Sequence, residues 1–291
     1  MSKTLTIVMP VYNEEESLKL FLPKVIDHCI TNSYSLILVD DGSKDKTSEI
    51  LNMQAANTSI LTVITHKVNK GYGGAIKSGI EECDTDYVIT IDADGQHYLS
   101  DVDNLFAKIL ETDADLVIGS RKGQLSASAF RKVGKGIIRF VAKMLMKLSV
   151  YDINSGMKIY DTKLVKKYLK LTPDTMSFSD IITLTFVSNR HLVIEEPIQI
   201  KKRIGGVSTI GIRTAFETVM EIINIIILFN PARIFLPISA FFFVFGVFWG
   251  ANFFFQGKGI SIGASTLILT GLIIFLLGLI AEQLSALRKN Q

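Results

Sequence analysis

The sequence has little cysteine, and its two cysteines lack the spacing that metal sites and disulfide scaffolds need. Cys29 and Cys83 lie far apart in a chain of 291 residues. Cysteine zinc sites use closely spaced pairs, and small secreted folds use many cysteines. We therefore exclude a cysteine metal site and a disulfide framework, and we expect both thiols to be reduced in a cytosolic domain.

The sequence also lacks a large excess of charge of either sign. Its net charge is +3 at neutral pH, and no segment interleaves basic and aromatic residues. Proteins that bind nucleic acid concentrate positive charge on one surface, because phosphate contacts supply most of their affinity. The composition therefore gives no support for nucleic acid as a partner, and we expect none.

Two long stretches contain no charged residue at all, although charged residues make up 20% of the chain. The first runs from Ile234 to Gly257 and the second from Gly259 to Ala281. About 20 apolar residues cross the hydrocarbon core of a bilayer as a helix. We predict a membrane hairpin over residues 233–291, with spans at about 234–255 and 262–284. The alternative is a helical hairpin buried in the core of a soluble protein.

The basic residues around the hairpin predict its orientation. Arg233 precedes the first span and Arg288 and Lys289 follow the second, whereas the turn contains only Lys258. Lysine and arginine favour the cytoplasmic side of a membrane. We therefore expect a multi-pass protein of the cell membrane, with the domain upstream of the hairpin and both termini in the cytoplasm.

Upstream of the hairpin, short β-branched runs alternate with helical patterns, which is typical of a doubly wound α/β domain. We expect this domain to cover residues 1–212, with a nucleotide-binding half at about 1–120 and an interfacial helix at 213–232. The predicted strands are Leu5–Met9, Leu36–Val39, Leu61–Thr65, Tyr87–Ile91 and Leu116–Ile118. The predicted helices are Glu14–Ile30, Asp45–Ala56, Gly74–Glu82 and Asp101–Glu111.

Two carboxylates one residue apart follow the fourth predicted strand. Asp92 and Asp94 directly follow the apolar run that ends at Ile91. The carboxyl edge of a parallel sheet is where α/β proteins bind ligands. Hard oxygen ligands at this spacing suit a Mg²⁺ or Mn²⁺ ion that also binds substrate phosphates. The alternative is an ordinary acidic turn.

Three further loops follow predicted strands and reach the same edge. They are Pro10–Glu15, Val39–Ser43 and Asn69–Ala75. Glu14 and either Asp40 or Asp41 could accept hydrogen bonds from ribose hydroxyls and a base, and the Tyr12 ring could pack on that base. The glycines at 71, 73 and 74 do not form the Gly-x-Gly-x-x-Gly pattern of dinucleotide-binding folds.

These motifs, taken together and in this order, resemble those of the family 2 glycosyltransferases, within the branch of dolichyl-phosphate mannose synthases and bacterial polyprenyl-phosphate hexosyltransferases. The segments are Pro-Val-Tyr-Asn-Glu, Val-Asp-Asp-Gly-Ser, Asp-Ala-Asp-Gly-Gln and Gly-Ser-Arg. The resemblance implies a nucleotide-diphosphosugar fold (GT-A, Rossmann-like). It also implies that the nucleoside is held by Pro10, Tyr12, Glu14, Val39 and Asp41. The diphosphate and a Mg²⁺ or Mn²⁺ ion would be held by Asp92, Ala93 and Asp94, with Gln96 beside them. Arg121 would contact phosphate.

The sequence departs from the family in one donor-binding motif. The family pattern is Arg-x-x-Gly-x-Ser-Lys, and here Arg203, Gly206 and Ser208 match it while Thr209 replaces the lysine. The resemblance implies that Arg203 and Ser208 bind the donor. Lys201 or Lys202 could supply the missing positive charge.

Residues 131–149 have the pattern of a basic amphipathic helix. Lys135, Arg139, Lys143 and Lys147 recur every four residues, and apolar residues occupy the other face. Such a helix lies in the headgroup layer of a membrane. The alternative is a core-packed helix with a solvated lysine face. The resemblance implies that Arg121, Arg131 and the neighbouring Lys135 receive the phosphate of a lipid carrier.

We therefore predict a membrane-bound inverting enzyme that moves a hexose from a nucleotide sugar to a polyprenyl phosphate. UDP-linked glucose or N-acetylglucosamine and undecaprenyl phosphate are favoured, with GDP-mannose as the alternative donor. Asp152 is expected to contact sugar or acceptor, and Asp180 is the rival carboxylate. The non-enzymatic alternative is a catalytically inert scaffold or flippase partner. A processive polysaccharide synthase is disfavoured, because this sequence lacks the Gln-x-x-Arg-Trp segment of such enzymes. The expected protein partner is either further copies of this chain, in a homo-oligomer such as a tetramer, or a small membrane protein.

Overall fold

A computed structural model describes residues 3–122, 150–201, 220, 223, 227, 230–257, 259 and 261–289. These residues belong to two compact units. The first contains residues 3–122 and 150–201, and the second contains the described residues from 220 onward. The predicted roles of Arg131, Lys135, Arg203 and Ser208, and most of the proposed interfacial helix at 213–232, lie outside the described residues.

The first unit is built on a mixed sheet. Its strands are β1 Leu5–Val11, β2 Ser35–Asp40, β3 Leu61–Thr65, β4 Tyr87–Thr90, β5 Leu116–Ser120, β6 Lys158–Asp161 and β7 Val193–Pro197. Its helices are α1 Glu15–Asn32, α2 Thr47–Asn57, α3 Tyr72–Glu82, α4 Leu99–Thr112, α5 Thr162–Tyr168 and α6 Phe178–Ser188. The five strands and four helices predicted from the sequence are all present, with ends shifted by at most a few residues.

The strand order is β3-β2-β1-β4-β6-β5-β7. All neighbouring pairs are parallel except that β6 runs antiparallel to both β4 and β5. The sequence did not predict β6, which is only four residues long and inserts between two predicted strands. Because of this insertion, the amino end of β6 lies at the same edge as the carboxyl ends of β4 and β5.

Alternate residues of the central strands pack into separate cores on the two faces of the sheet. Ile7 and Met9 of β1 contact the core that contains α1 and α4 residues. Val8, between them, contacts the core that contains α3 and α6 residues. Because both faces are covered, the strands are apolar on both sides, which explains their continuous hydrophobic runs.

The described residues of the second unit include two long helices, α7 Ala232–Phe255 and α8 Ile262–Lys289. Both are long and apolar enough to cross a membrane. They pack closely through glycines: a Cβ atom on Gly271 would lie 2.8 Å from the backbone nitrogen of Phe243, and one on Gly278 would lie 2.7 Å from the Phe235 Cβ. Small residues allow this close approach between helices whose outer surfaces are apolar.

Candidate active site

The candidate site lies at one edge of the sheet of the first unit. The parallel strands β1 to β4 end there, and each is followed by one of the loops that the sequence had identified. Strand β5 ends at the same edge with Ser120, next to Arg121. The segment that enters β6, residues 152–157, reaches this edge from the opposite direction.

The loops after β1 and β2 are joined by side-chain to backbone hydrogen bonds. The Ser43 hydroxyl accepts a bond from the Asn13 backbone N–H at 3.0 Å, and the Asn13 side-chain oxygen accepts one from the Lys44 N–H at 2.8 Å. The Glu14 carboxylate accepts a bond from Ser17 at 2.7 Å. Tyr12, at the tip of this pair of loops, is 41% exposed. Its ring is accessible for stacking.

The predicted nucleoside residues Pro10 and Val39 lie opposite each other in β1 and β2. The Val39 side chain is fully buried in the core, and Ala93 is also buried. A ligand at this edge could therefore reach Val39 or Ala93 only through their main-chain atoms.

Asp41 organises the third loop. Its Oδ1 accepts a hydrogen bond from the Lys70 N–H and its Oδ2 accepts one from the Gly71 N–H, both at 2.8 Å. Nδ1 of His66 lies 2.7 Å from Oδ1. Gly71 has φ +92°, and a Cβ there would lie 2.5 Å from the Asp174 carbonyl oxygen. The Asp41 carboxylate therefore holds this loop in place and is itself fixed by it. The contact between Asp41 and His66 was not predicted from the sequence.

Asp92 is held by two side chains from neighbouring segments. The Tyr72 hydroxyl donates a hydrogen bond to Oδ1 at 3.0 Å, and Nε2 of His97 lies 3.6 Å from Oδ2. Burial alone would raise the pKa of Asp92, but His97, Tyr72 and the positive charge of Arg121 outweigh it and lower that pKa. Asp92 is therefore an anion at neutral pH.

The backbone at Gly156 packs directly against this carboxylate. A Cβ atom at Gly156 would lie 2.6 Å from Oδ2 of Asp92. Burial and the charge of Asp92 raise the pKa of Tyr72 well above its ordinary value, so the phenol stays protonated and remains a donor. The Asp92 carboxylate is thus oriented from three sides.

The loop that carries Asp94 is pinned to the segment after β7. Asp94 Oδ1 accepts a hydrogen bond from the Gln96 N–H at 3.0 Å, and the Gln96 carbonyl accepts one from the Lys201 N–H at 2.8 Å. The Lys201 ammonium lies 4.1 Å from the centre of the Tyr98 ring. Lys201, suggested above as a replacement for the family lysine, is thus engaged in a cation–π contact.

These residues fit a divalent cation shared with a diphosphate. Asp92 is ionised, and both acids are hard oxygen donors whose orientation is fixed. Within the described ranges, no three His, Cys, Asp or Glu side chains group as a complete cage. Mg²⁺ is commonly bound by one or two carboxylates plus substrate phosphates, so an incomplete cage is what such a site needs.

Arg121 and Asp152 form a bidentate ion pair beside this pair of acids. Nε of Arg121 lies 2.7 Å from Oδ2 of Asp152, and Nη2 lies 2.8 Å from Oδ1 and 2.9 Å from the Asn154 side-chain oxygen. The Glu195 carboxylate accepts a bond from the Asp152 N–H at 2.7 Å. Among the described residues, none accepts a hydrogen bond from Nη1 of Arg121. This nitrogen is a donor that an anionic substrate could use.

The first unit has a seven-stranded sheet with an Asp-x-Asp loop and a guanidinium at its carboxyl edge. This arrangement defines a nucleotide-sugar type of α/β domain. An apolar hairpin follows it in the chain. Residues 6–169 match the family model for glycosyl transferase family 2, and residues 230–287 match the model for the GtrB C-terminal hairpin. The chain belongs to glycosyl transferase family 2.

Curated relatives in this family act on a lipid phosphate according to their names. The chain is 36% identical over 188 residues to an undecaprenyl-phosphate 4-deoxy-4-formamido-L-arabinose transferase from Photorhabdus laumondii, covering 63% of the chain and 57% of the relative. It is 34% identical over 194 residues to the protein of the same name from Proteus mirabilis, covering 65% and 58%. The chain thus spans less than two thirds of the length of these relatives.

Solved structures share the fold at low identity. Glucosyl-3-phosphoglycerate synthase from Mycobacterium tuberculosis, in complex with phosphoglyceric acid, superimposes with a TM-score of 0.60 at 17% identity, covering 77% of the chain and 80% of that structure. TarS from Staphylococcus aureus superimposes with a TM-score of 0.56 at 16% identity, covering 97% and 83%. The same synthase has been crystallised with Mn²⁺ and uridine diphosphate.

Proposed function

We propose that the chain is a membrane-bound inverting glycosyltransferase that moves a hexose from a nucleoside diphosphate sugar to a polyprenyl phosphate. The observation that carries this proposal is the oriented and ionised Asp92, with Asp94 two residues away and the Arg121 guanidinium nearby, on a chain that continues into an apolar hairpin. The favoured donor is UDP-linked glucose or N-acetylglucosamine, and the favoured acceptor is undecaprenyl phosphate, which is the substrate class in the relatives' names.

The reaction needs little acid–base assistance. A phosphate monoester has a second pKa near 6, so most of the acceptor is a dianion at neutral pH. One of its oxygens attacks the anomeric carbon as the bond from that carbon to the diphosphate breaks. The bonding electrons leave with the nucleoside diphosphate, and no proton has to move. A single displacement inverts the anomeric centre.

The protein therefore contributes position and charge. Tyr12 and Glu14 are placed to hold the base and ribose of the donor, and Asp41 fixes the loop at residues 66–71 that borders them. Asp92 and Asp94 would hold the Mg²⁺ or Mn²⁺ ion, which when bound offsets the charge of the leaving diphosphate. Arg121 presents a donor beside it. Fixed charges of this kind favour a transition state in which negative charge moves onto the leaving group.

The hairpin explains how a domain with a nucleotide-sugar site reaches a lipid acceptor. Helices α7 and α8 would anchor the chain in the bilayer that contains the polyprenyl phosphate. The basic residues at both ends of the hairpin favour a cytoplasmic catalytic domain, where nucleotide sugars are made.

Two other functions compete with this proposal. A GDP-mannose-dependent transferase would use the same site, because sugar and base selectivity depend on a few hydrogen bonds. An inert scaffold or flippase partner would keep the fold without the chemistry. The ordered contacts around Asp92 favour an enzyme, because an unused carboxylate has no need of three supports.

A direct test is a screen of radiolabelled UDP- and GDP-sugars against undecaprenyl and dolichyl phosphate, with counts extracted into the lipid phase as the readout. We expect a metal-dependent lipid product from a UDP-hexose. A product only from GDP-mannose would support the alternative donor. No product and no donor hydrolysis with any pair, in a protein that binds nucleotide, would support the scaffold.

A further inference from the structure

Lys158 is a lysine with no exposed surface at the edge of the sheet that carries the candidate site. It is the first residue of β6, and it lies opposite Thr90 at the end of β4 and Ile118 in β5. Its relative exposure is 0%. Buried lysines are rare unless their nitrogen has partners, so this position requires an explanation.

The Lys158 ammonium joins two segments of the chain by hydrogen bonds to their backbone carbonyls. It donates to the Ile153 carbonyl at 2.8 Å and to the Ser179 carbonyl in the first turn of α6. The Thr183 hydroxyl lies within hydrogen-bond distance of the same two carbonyls. A charged or a neutral lysine has at least two N–H groups, so both protonation states can make this connection.

The segment held by Lys158 carries the groups that orient the candidate active site. Asp152 and Asn154 flank Ile153 and together hold the Arg121 guanidinium. Gly156 packs against the Asp92 carboxylate, and its carbonyl accepts a bond from Thr90 at 2.8 Å. A shift of residues 152–156 would therefore move Arg121 and the support of Asp92 together.

We propose that Lys158 is a positioning residue of the transfer reaction, which ties residues 152–156 to the start of α6 and so fixes Arg121 at the site. The proposal rests on the glycosyl transfer argued above. Lys158 acts through backbone carbonyls and touches no substrate. Its removal changes the placement of Arg121 and leaves the nucleoside loops after β1, β2 and β3 intact.

Asp180 is the second part of this arrangement. It is buried in the first turn of α6, next to Ser179. Its negative charge is the largest electrostatic influence that favours the charged form of Lys158, followed by that of Asp152. Asp180 thus favours the charged form of Lys158.

The experiment compares Lys158→Met with Lys166→Met in the full-length protein. Lys166 is the matched control, because its ammonium also donates to a backbone carbonyl, that of Cys83, away from the candidate site. Three quantities are measured: the Kd for UDP with Mn²⁺, the kcat and lipid KM of transfer, and hydrogen exchange of the amides at 152–156. UDP binding and hydrogen exchange can be measured whether or not the protein catalyses the proposed transfer. They therefore distinguish an error in the proposed function from an error in the role of Lys158.

We expect Lys158→Met to lower kcat by about tenfold to a hundredfold, since small misplacements of reacting groups have effects of this size. The Kd for UDP should rise by a smaller factor than kcat falls, because the loops after β1, β2 and β3 that hold the nucleoside are unchanged, and hydrogen exchange at 152–156 should rise. Lys158→Arg should recover part of kcat, because it restores donors for both carbonyls. Lys166→Met should match the wild type. Wild-type kcat and exchange in Lys158→Met would overturn the inference, as would an equal loss in the control.

The electroneutral double variant Lys158→Met with Asp180→Asn covers the case in which the single variant does not fold. It removes the negative charge of Asp180 together with the positive charge of the lysine. A folded double variant with low kcat, retained UDP binding and fast exchange at 152–156 supports the positioning role. Wild-type kcat in the double variant, or loss of folding in both variants, would overturn it, since the lysine would then be dispensable or needed for folding alone.

Discussion

Arg121 binds both carboxylate oxygens of Asp152, with Nε 2.7 Å from Oδ2 and Nη2 2.8 Å from Oδ1. A bidentate pair fixes the plane of the guanidinium as well as its position. The burial of Arg121 opposes its charge, but the bonds to Asp152 outweigh this and raise its pKa. In the proposed reaction, we expect Asp152 to present the charged edge of Arg121.

We predict that Asp152→Asn lowers kcat by at least about tenfold while the Kd for UDP stays close to that of the wild type. The amide has only one acceptor oxygen, so the bidentate geometry is lost. Arg121→Lys should show a similar loss, because lysine keeps the charge without the planar fork. Steady-state kinetics with lipid acceptor and UDP titration provide the measurement. Asp86→Asn, which breaks the exposed pair with Lys3, is the control. Equal kcat in Asp152→Asn and the control would contradict the role of the pair.

We predict that Asp92→Ala and Asp94→Ala each abolish transfer while the protein stays folded and membrane-bound. Each change removes an oxygen donor from the proposed metal site. Chelation of the wild type should have the same effect, and Mn²⁺ binding in the presence of UDP should weaken in both variants. Asp103→Ala is the control, because its carboxylate contacts His28 and Tyr34 in another part of the domain. Full activity of either variant in excess chelator would falsify the metal role.

The residues that were predictable from the sequence are those whose signal is local. An apolar run followed by Asp92 and Asp94 indicates a buried strand ending in a ligand site, and the same logic identified Asp41 and Glu14. The two apolar helices were equally predictable, because their length and lack of charge are properties of the sequence itself. In each case a few consecutive residues carry the pattern.

The residues that were missed depend on contacts between distant segments. Strand β6 has four residues, which is too short for a periodic pattern, and its lysine is typical of a surface position. Tyr72 and His66 acquire their roles only when the third loop folds against Asp92 and Asp41. Sequence spacing contains no information about such contacts, which form only when segments distant in the sequence meet in the folded domain.

We predict that removal of residues 232–291 yields a domain that binds nucleotide but transfers poorly to a long-chain lipid phosphate. All described residues of the candidate site belong to the first unit, while the apolar helices belong to the second. UDP titration and transfer to acceptor in vesicles are the measurements. Wild-type rates on the embedded acceptor would contradict the anchoring role, and loss of nucleotide binding in a folded domain would contradict the division of tasks.

We predict that neutralising Arg131, Lys135, Arg139 and Lys143 raises the apparent KM for lipid phosphate and leaves donor affinity near normal. Basic residues near a membrane surface attract anionic headgroups by about 1 kcal/mol each. The control neutralises three exposed lysines, Lys163, Lys167 and Lys170, which follow β6. Kinetics at varied lipid fraction, together with UDP titration, separate the two substrates. An unchanged lipid KM with a weakened UDP Kd would place these basic residues in the donor site or the core.

The stability of the domain should depend on the protonation of Lys158. Burial lowers the pKa of Lys158 to about 7, against an ordinary value of 10.5, although Asp180, Asp152 and Asp92 oppose the shift and Arg121 reinforces it. Between these values the unfolded chain binds a proton that the folded chain lacks. The free energy of unfolding should therefore rise with pH in this window, by at most about 1.4 kcal/mol per pH unit.

The measurement is the Tm of the detergent-solubilised protein from about pH 7 to about pH 8.5, compared between the wild type and Lys158→Met. The range stops there because burial raises the pKa values of Cys29 and Cys83 to about 12, from 9.0. At higher pH these thiols lose their protons in the unfolded chain but not in the folded one, which lowers the free energy of unfolding. We expect the Tm of the wild type to rise relative to that of the variant, whose Tm lacks the lysine contribution. Parallel Tm curves for the two proteins would show that Lys158 stays charged when folded.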